Sequence, residues 1–305
     1  MSIEGALRVL RDELSGEVRA REVMARHTTY RVGGPAAIYC VLDTVHDVVT
    51  ALRVLEDQGV EWAVVGKGSN LLVSDSGYDG AVLVLGREFK RHVIEGETMR
   101  AGSASILAHL VQDAFNLGLS GLEWAVGIPG TLGGALAMNA GTPEGWIGQI
   151  VDTATLFVPG LGLTLVHGRD VVWDYRRSGL AGRGIILEAT LRVTEGEPVR
   201  IRAEMERNLK KRKATQPMSL PCAGSVFVNP PGDSAGRLIE ECGLKGVRLG
   251  GACVSTVHAN FIVNEGGATA ADIVGLIRKV RMTVKDGCGV DLRPEIRFLG
   301  SFEEA

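Results

Sequence analysis

Two glycine-rich segments have the residue types that can hold a phosphate group. Gly66-Lys67-Gly68-Ser69-Asn70 follows a predicted strand, and residues 127–134 read Gly-Ile-Pro-Gly-Thr-Leu-Gly-Gly. Backbone amides that converge on one point, with no bulky side chain between them, can bind a pyrophosphate. The first segment lacks the third glycine of the dinucleotide-binding fingerprint, and the second lacks the Gly-Lys-Ser/Thr end of a Walker A motif. Each segment alone is compatible with a tight turn, whereas the presence of both in one chain favours a large phosphate-bearing cofactor.

Two further segments contain residues suited to proton transfer or carboxylate binding. Ser225 follows Ala223 and Gly224 at the start of a predicted strand. A serine in this position usually bonds to nearby backbone, but in a desolvated cleft it could protonate a carbanion. Arg176 follows Tyr175, and its guanidinium could either stack on the ring or clamp a carboxylate.

A serine hydrolase is an alternative interpretation. Residues 232–236 match the Gly-x-Ser-x-Gly pattern of a nucleophile elbow, with Ser234 as the nucleophile and His258 as the base. An elbow needs a strand that runs directly into the turn, and Pro230-Pro231 interrupts the chain here. The competing interpretation is a loop followed by a helix N-cap.

The composition argues against several classes of partner. The 305 residues include 33 basic and 36 acidic ones, and a net charge of -3 gives no electrostatic basis for nucleic-acid binding. Five cysteines without Cys-x-x-Cys, and six histidines without metal-ligand spacing, predict free thiols in a reducing cytosol and no metal site. Residues 124–143 are uncharged over a membrane-spanning length, but their glycines and prolines oppose a helix. We therefore expect a cytoplasmic protein with no nucleic-acid, membrane or metal partner, and the charged N-terminus is unlike a signal peptide.

Hydrophobic periodicity predicts an α+β protein. A helix over residues 2–14 precedes a strand–helix–strand unit with strands at 37–42 and 62–65, whose helix begins at a Thr44/Asp47 capping box and ends at Gly59. Further strands are predicted at residues 80–85, 97–101, 151–158, 163–167, 184–194, 226–228, 259–263 and 290–298, and further helices at residues 105–117, 201–213 and 235–242. A last helix is predicted to begin at a second capping box, Thr269/Asp272, and to end at Gly287. In the last of these strands Glu295 lies on the polar face.

The order of these segments resembles one family, the UDP-N-acetylenolpyruvoylglucosamine reductases (MurB). The matching motifs are TTYRVGGPA at residues 28–36, GKGSNLLV at 66–73, GLE at 121–123, GIPGT at 127–131, MNAG at 138–141, YR at 175–176, AGSVF at 223–227, GRLIE at 236–240, GLKG at 243–246, HANF at 258–261 and PEIR at 294–297. The resemblance extends from about residue 27 to residue 300. Each motif alone is weak, and the ordered set is highly specific.

The resemblance implies an α+β fold in two parts. A two-lobed FAD-binding domain of the vanillyl-alcohol-oxidase (PCMH) type comes first, and a smaller α+β substrate-binding domain follows. The implied boundaries place the first lobe at residues 1–85, the second lobe at 86–198 and the substrate domain at 199–296, with residues 297–305 returning to the first lobe. Short gaps between the later motifs resemble the shorter type of the family, which lacks extra substrate-covering segments.

The resemblance also implies a reaction in peptidoglycan precursor synthesis. NADPH gives a hydride to non-covalently bound FAD, from which it passes to the enolpyruvyl ether of UDP-N-acetylglucosamine enolpyruvate. The other vinyl carbon takes a proton, and the product is UDP-N-acetylmuramate. A non-catalytic nucleotide-binding module on the same fold is a second alternative, beside the hydrolase.

Three catalytic residues are implied by the matching motifs. Hydride addition leaves negative charge delocalised into the substrate carboxylate, for which Arg176 is the implied partner. Glu295 is the implied second group at this enolate, and beside an anion it would help only if it carried a proton. Ser225 is the implied proton donor, a role that typically contributes about 10²–10⁴-fold to the rate.

The remaining implied contacts are with the cofactor and the substrate. The implied FAD contacts are Tyr30, Arg31, Gly66, Gly68, Ser69, Asn70, Leu71, Gly127, Ile128, Pro129, Gly130, Thr131, Gly133, Gly134, Asn139 and Gly141. The implied substrate contacts are Tyr175 and Asn229.

Two positions depart from the common family pattern. The family often has a lysine before Gln-Pro and another before Asn-Pro, where this sequence has Thr215 and Val228. Both lysines would face anionic groups of the diphosphate or of the nicotinamide nucleotide. We expect basic residues nearby to take their place, with Lys210, Lys211 and Lys213 as the candidates.

Overall fold

A computed structural model describes residues 2–302, and these residues form seven α-helices and twenty strands. The helices are α1 (Ile3–Glu13), α2 (Val45–Gln58), α3 (Leu107–Asn116), α4 (Leu132–Met138), α5 (Pro198–Thr215), α6 (Ala235–Glu241) and α7 (Ala270–Cys288). The strands are β1 (Val18–Val23), β2 (Pro35–Leu42), β3 (Trp62–Val64), β4 (Leu71–Val73), β5 (Tyr78–Leu85), β6 (His92–Glu95), β7 (Thr98–Gly102), β8 (Leu119–Ser120), β9 (Gly141–Thr142), β10 (Gly145–Trp146), β11 (Val151–Val158), β12 (Gly162–His167), β13 (Trp173–Asp174), β14 (Arg177–Ser178), β15 (Ile185–Arg192), β16 (Thr194–Glu195), β17 (Arg248–Leu249), β18 (Ala252–Val254), β19 (Ile262–Asn264) and β20 (Arg297–Leu299).

Local residues set the ends of the predicted helices. The capping box of Thr44 and Asp47 begins α2, and Gly59 ends it in the left-handed conformation, as the sequence predicts. A second capping box begins α7, but this helix passes Gly287, its predicted end. The residue that adopts the left-handed conformation is Gly289, whose φ is 71° and whose amide bonds to the last turn. A glycine therefore ends this helix where its backbone turns, and an earlier glycine is tolerated inside the last turn.

The chain divides into two compact units. Within the described residues the first unit comprises residues 2–20, 38–66 and 80–211, and the second comprises residues 21–37, 67–79 and 212–302. The chain passes from one unit to the other inside β1, β2, β5 and α5, and also between Gly66 and Lys67. The domain boundaries implied by the resemblance, at residues 85/86 and 198/199, stay a prediction.

A five-stranded antiparallel sheet organises much of the first unit. Its strand order is β12-β11-β15-β7-β6. Leu110 of α3 and Leu136 of α4 belong to the same core as the sheet residues Leu156 of β11 and Leu191 of β15. The strands at 151–158, 163–167 and 184–194 predicted from composition are confirmed with small shifts of their ends.

A second core of the first unit lies around the N-terminal helices. α1, α2, β2 and β5 contribute Leu10, Leu55, Leu42 and Leu83 to it. The strand–helix–strand unit is confirmed as β2, α2 and β3. Its two strands belong to one sheet with the order β1-β2-β5-β3. β3 pairs with β5 in parallel, with Trp62 opposite Ala81.

The second unit has its own core, built largely from α6, α7 and a three-stranded antiparallel sheet. The sheet order is β17-β18-β19, and the core includes Tyr30, Phe227, Ile239 and Ile277. β20 pairs with β4 in parallel, so the chain near its end joins residues 71–73. The return of residues 297–305 to the first lobe stays a prediction, and residues 303–305 lie outside the described residues.

Two predicted strands of the second unit are largely absent. Residues 226–228 contain a single bridge, Phe227 opposite Pro294, and the predicted strand 290–298 is reduced to Arg297–Leu299. The two segments exchange only the two backbone hydrogen bonds that flank this bridge, from Val228 to Arg293 and from Glu295 to Val226, at 2.9 and 2.7 Å. The side chain of Asn260 also takes both backbone groups of Phe227, by bonds of 2.9 and 2.8 Å. The alternating burial is kept nevertheless, since Leu292 and Ile296 are buried and Arg293 is exposed.

Across residues 2–302 the longest helices are too polar or too short to cross a membrane.

Candidate active site

The turn at residues 66–70 presents amides that the protein itself does not use. The amides of Gly66, Lys67, Gly68 and Asn70 donate to no oxygen atom within residues 2–302. Ser69 is half-buried in the same turn, and Leu71 begins β4. Unpaired backbone donors in a tight turn are the groups that bind a pyrophosphate.

The first unit brings Gly66 against the second glycine-rich segment. A Cβ atom on Gly66 would lie 2.6 Å from Oγ1 of Thr131, and a Cβ atom on Gly133 would lie 2.9 Å from Cβ of Ser103. Thr131 caps α4, where its hydroxyl accepts from the amide of Gly134 at 3.3 Å. Gly66, the first residue of the first glycine segment, therefore lies against Thr131 of the second, with no room for a side chain.

In the second segment some backbone amides bond to the rest of the fold, and others are available to a ligand. The amides of Ile128 and Gly133 bond to Ala125 and Ser103, at 3.0 and 2.7 Å. The amides of Gly127, Gly130 and Thr131 donate to no oxygen atom in the described part of the chain. Gly127 and Gly130 have φ values of 74° and 130°, which favour glycine, and Pro129 lies exposed between them. The free amides and absent side chains fit the phosphates of an FAD.

A tight hairpin presents Tyr175 and Arg176 in the first unit. β13 and β14 pair Asp174 with Arg177, so these two residues form the whole turn. Arg176 has φ 59°, a left-handed conformation that costs a non-glycine residue about 1–2 kcal/mol. Its Nη1 donates to the carbonyl of Gly141 at 3.0 Å, and its guanidinium carbon lies 5.3 Å from the centroid of the Tyr175 ring. The strain and the bond to Gly141 fix where this cation points.

Asn139 holds this hairpin in place from the C-terminus of α4. Its Nδ2 donates to the carbonyl of Asp174 at 3.0 Å, and its Oδ1 accepts from the amide of Gly148 at 3.1 Å. Asn139 itself is left-handed, with φ 43°, and buried. The structure thus gives this predicted cofactor contact a positioning role toward the Arg176 hairpin.

In the second unit, the turn at residues 28–31 packs on the glycine turn. The amide and hydroxyl of Thr29 bond to the carbonyl of Gly68, at 3.2 and 3.3 Å. A Cβ atom on Gly68 would lie 2.1 Å from the carbonyl oxygen of His27. Arg31 is exposed in this turn with φ 57°, whereas Tyr30 is wholly buried. The structure therefore places the Arg31 side chain at the surface and the Tyr30 side chain in the core.

The Tyr30 hydroxyl is a buried group with no hydrogen-bond partner among residues 2–302. Burial, and to a smaller extent the neighbouring thiol of Cys222, raise the pKa of Tyr30 well above its usual range. The raised pKa keeps this hydroxyl in its neutral form.

Ser225, Glu295 and Asn70 are brought together in the second unit. The amide of Glu295 donates to the carbonyl of Val226 at 2.7 Å, which places Glu295 beside the residue that follows Ser225. The carbonyl of Glu295 accepts from Nδ2 of Asn70 at 3.2 Å. The Ser225 hydroxyl is half-buried and makes no hydrogen bond to any residue from 2 to 302, so it does not cap backbone.

Asn260 supports this arrangement and was not assigned a role from the sequence. Its side chain bonds to both backbone groups of Phe227, and its carbonyl accepts from the amide of Val226 at 2.8 Å. Asn260 is buried, so its polar groups must find partners within the fold. The sequence signal that could have indicated this role was the position of Asn260, two residues after His258, in an otherwise apolar predicted strand.

The remaining predicted residues have partners that bear on their roles. Oδ1 of Asn229 accepts from the amide of Ala235 at 3.0 Å, next to the start of α6. Ser234 caps α6, where its hydroxyl accepts from the amide of Arg237, and no strand leads into it. Ser234 is therefore a helix N-cap, as the competing interpretation has it, and not the nucleophile of a hydrolase elbow.

One candidate substitute for the missing family lysines is already paired in the first unit. Nζ of Lys211 lies 2.7 Å from Oε1 of Glu144, and this hydrogen bond lowers the pKa of the Glu144 carboxyl. Such a surface pair contributes little to stability. Among residues 2–302, no group of three or more His, Cys, Asp or Glu side chains is arranged to hold a metal ion.

Comparisons with known proteins identify the class. The model of an FAD binding domain matches residues 36–157, and the model of the C-terminal domain of UDP-N-acetylenolpyruvoylglucosamine reductase (MurB_C) matches residues 216–299. A crystal structure of UDP-N-acetylenolpyruvylglucosamine reductase (MurB) from Thermus caldophilus superposes with a TM-score of 0.82, at 35% identity, over 93% of this chain and 99% of that one. The fold and the site therefore define an FAD-binding oxidoreductase with a separate C-terminal domain.

Sequence relatives specify the family. The UDP-N-acetylenolpyruvoylglucosamine reductase of Bacillus licheniformis is 40% identical over 287 residues, 93% of this chain and 95% of that protein. The protein of the same name from Heliobacterium modesticaldum is 42% identical over 290 residues, 94% of this chain and 92% of that protein. The chain belongs to the UDP-N-acetylenolpyruvoylglucosamine reductase (MurB) family. The predicted resemblance and the predicted α+β fold, with its FAD-binding and C-terminal domains, are confirmed.

Proposed function

We propose that this chain is an NADPH-dependent UDP-N-acetylmuramate dehydrogenase, which reduces the enolpyruvyl ether of UDP-N-acetylglucosamine enolpyruvate. Membership of the family and the FAD-binding domain support the reaction class. The product would enter peptidoglycan precursor synthesis, and through it cell-wall formation, cell shape and division. A cytoplasmic location is part of the same proposal.

FAD, when bound, supplies hydride transfer between NADPH and the substrate. The residues that would hold its phosphates are those with free amides in the turns at 66–70 and 127–131. Arg31, exposed in the turn whose Thr29 bonds to Gly68, adds a cation in the second unit. The contacts of Ser69, Leu71 and the other predicted cofactor residues belong to this proposal.

Arg176 would stabilise the charge that develops on the substrate carboxylate. Its guanidinium is fixed by the bond to Gly141 and by the strained turn, so little reorganisation is needed when the charge appears. Tyr175, which is 56% exposed, would contact the substrate from the same turn. Asn229 is the proposed substrate contact in the second unit.

Ser225 would donate the proton that completes the reduction. The Ser225 hydroxyl has no partner among residues 2–302, so it is free to turn its hydrogen toward a substrate carbon. Glu295 would act at the same enolate in its protonated form. The observation that carries the proposal is the chain of two hydrogen bonds from Asn70 through Glu295 to Val226, since it joins the predicted cofactor turn to the predicted proton donor.

The test begins with the colour of the purified protein. We expect a yellow protein whose flavin absorbance is bleached by NADPH without oxygen and returns when UDP-N-acetylglucosamine enolpyruvate is added. A yellow protein that NADPH does not bleach would support the non-catalytic module instead. A colourless protein that cannot be loaded with FAD would contradict the proposal.

A further inference from the structure

Two cysteine side chains that have no role in the proposed reaction lie close together in the second unit. Cys242 is the C-cap of α6 and Cys288 is the last residue of α7. Their Sγ atoms are 3.6 Å apart, although the residues are 46 positions apart in the sequence. Both thiols are free and half-buried, and the adjacent residues Glu241 and Gly287 are exposed. The pair therefore lies just beneath the surface of the second unit.

Helix packing holds the two sulfur atoms close to each other. Sγ of Cys242 lies 3.9 Å from the carbonyl oxygen of Thr283, one turn earlier in α7. A Cβ atom on Gly287 would lie 3.4 Å from the same sulfur, so the last turn of α7 packs directly on Cys242. Because both residues end helices that share one core, their proximity is part of the packed fold.

The distance between the two sulfur atoms suits a pair of thiols that can form a disulfide bond. A disulfide bond is about 2.05 Å long, so closure needs a relative movement of the sulfur atoms of about 1.5 Å. Changes of side-chain torsion can supply a movement of this size with little change in the helices. The other half-buried cysteine of the second unit, Cys222, provides an internal comparison.

We propose that Cys242 and Cys288 form an oxidisable dithiol, which a small-molecule disulfide such as glutathione disulfide converts into an intramolecular disulfide. In the first step a Cys288 thiolate attacks one sulfur of glutathione disulfide, and one glutathione thiolate leaves. In the second step the sulfur of Cys242, having lost its proton, attacks Cys288, and the second glutathione leaves. The protein loses two electrons and two protons, and one glutathione disulfide becomes two glutathione molecules.

The environment of Cys242 sets the order of these steps. Burial, and next the neighbouring Cys288, raise the pKa of the Cys242 thiol. A raised pKa leaves less of the Cys242 thiol as thiolate, which slows a first attack by Cys242 on glutathione disulfide. The second step is favoured because the attacking sulfur is already in contact with its target.

Closure would stabilise the part of the second unit that supports the candidate active site. The closed loop contains β17, β18, β19 and Asn260, the residue that clamps Phe227. Constraining a loop of this length in the unfolded state raises the thermal midpoint, here by about 5 °C or more. The helices barely move, so the oxidised protein keeps the activity of the reduced one.

The experiment uses the full-length protein loaded with FAD. The protein is incubated with glutathione disulfide, quenched with acid, alkylated and mapped by mass spectrometry without reduction. We expect a peptide linked through Cys242 and Cys288, a loss of two free thiols, and reversal by dithiothreitol. The thermal midpoint of the oxidised protein should exceed that of the reduced protein by about 5 °C or more.

Three single variants sharpen the result. Cys242→Ser and Cys288→Ser should each lose the linked peptide and the thermal shift, and in Cys242→Ser the remaining Cys288 should carry glutathione. Cys222→Ser, the matched control, should close as the wild type does. Wild-type protein that keeps all five free thiols, or that carries glutathione on Cys288 without the linked peptide, would overturn the proposal. Both results come from the wild type, so they hold even where a variant fails to fold.

Discussion

At the scale of single residues, the candidate site depends on side chains held in uncommon conformations. Of the four non-glycine residues with positive φ among residues 2–302, Arg31, Asn139 and Arg176 are residues that the resemblance places at the site. Strain of this kind persists only where surrounding contacts fix it. Its presence at positions chosen from sequence motifs supports their assignment to function.

Arg176 gives a prediction that separates strain from chemistry. We expect Arg176→Gly and Arg176→Ala to lower kcat/KM equally, by about 10²-fold or more, because both lose the guanidinium. Arg176→Gly should nevertheless be more stable than Arg176→Ala by about 1 kcal/mol, since only glycine takes a φ of 59° without steric cost. Steady-state kinetics and urea unfolding measure the two effects. Equal stability of the two variants would show that the turn relaxes when the arginine is removed.

The Tyr30 hydroxyl gives a second prediction at this scale. Tyr30→Phe removes a buried hydroxyl that has no partner within residues 2–302, so we expect the FAD-free protein to gain about 1 kcal/mol of unfolding free energy. Urea unfolding measures this gain, and FAD titration should give an unchanged affinity. A stability loss of similar size would mean that the hydroxyl has a partner in solution.

At the scale of elements, short sequence signals fixed the ends of helices well. Thr44 and Asp47 predicted the start of α2, and the buried Asp47 carboxylate makes more bonds than a capping box requires. It accepts from the amides of Asp43, Thr44 and Ser15 and from the Ser15 hydroxyl. Burial by itself would raise the pKa of Asp47, but these hydrogen bonds outweigh it and lower the pKa below its usual value.

This carboxylate predicts a pH-dependent contribution to stability. Because the pKa of Asp47 is lower in the folded state, its stabilisation is complete above the ordinary carboxyl pKa of about 3.9 and is lost as the pH falls through the lowered value. We expect Asp47→Asn to cost about 2 kcal/mol at pH 7, and the difference from wild type to shrink in acid. Urea unfolding across this pH range provides the measurement.

Asp57→Asn is the matched control, because Asp57 is exposed near the other end of α2 and its change removes the same charge. It should alter stability by less than about 0.5 kcal/mol at either pH. A cost of Asp47→Asn that persists unchanged in acid would contradict the assignment of a charged acceptor.

Strands were harder to predict than helices, for reasons visible in the second unit. The apolar alternation at residues 226–228 and 290–298 is real and buries the expected side chains, yet the two segments pair only at the bridge between Phe227 and Pro294. On the other side of Phe227 the Asn260 side chain takes the backbone groups that a neighbouring strand would take. Periodicity reports which side of a segment is buried, and it does not report which group satisfies the backbone. Periodicity also does not identify strand partners that are far apart in the sequence.

At the scale of the whole molecule, the site is made by contacts that no local signal encodes. Asn70 bonds to Glu295 across 225 positions, and Asn264 bonds to the carbonyl of Tyr30 across 234. The sequence supplied the residues of the site through family motifs, whereas their assembly, and the supporting roles of Asn139 and Asn260, required coordinates. Buried asparagines that satisfy backbone groups look like ordinary polar residues in a sequence.

Cofactor binding gives a prediction for the whole molecule. FAD that binds the folded protein should raise its thermal midpoint. We expect Gly66→Ala to reduce this FAD-dependent rise and to weaken FAD binding by about tenfold or more, because the new Cβ would lie 2.6 Å from Oγ1 of Thr131. Differential scanning fluorimetry with and without FAD measures the shift.

Gly179→Ala provides the control in the same unit, since a Cβ atom there meets its nearest neighbour at 3.4 Å. It should keep the full FAD-dependent shift. A Gly66→Ala protein with wild-type FAD affinity would contradict the proposal that the two glycine segments hold the phosphates.

The most direct test of the account follows one turnover of Ser225→Ala by stopped-flow absorbance without oxygen. NADPH should bleach the flavin of this variant at the wild-type rate, because the serine takes no part in that half of the reaction. Mixing the reduced variant with UDP-N-acetylglucosamine enolpyruvate should restore the colour about 10²-fold or more slowly than in wild type, since the proton donor is missing. Ser234→Ala, which removes only a helix cap, should restore colour at the wild-type rate. Recovery in Ser225→Ala as fast as in wild type would contradict the central claim that this hydroxyl completes the reduction.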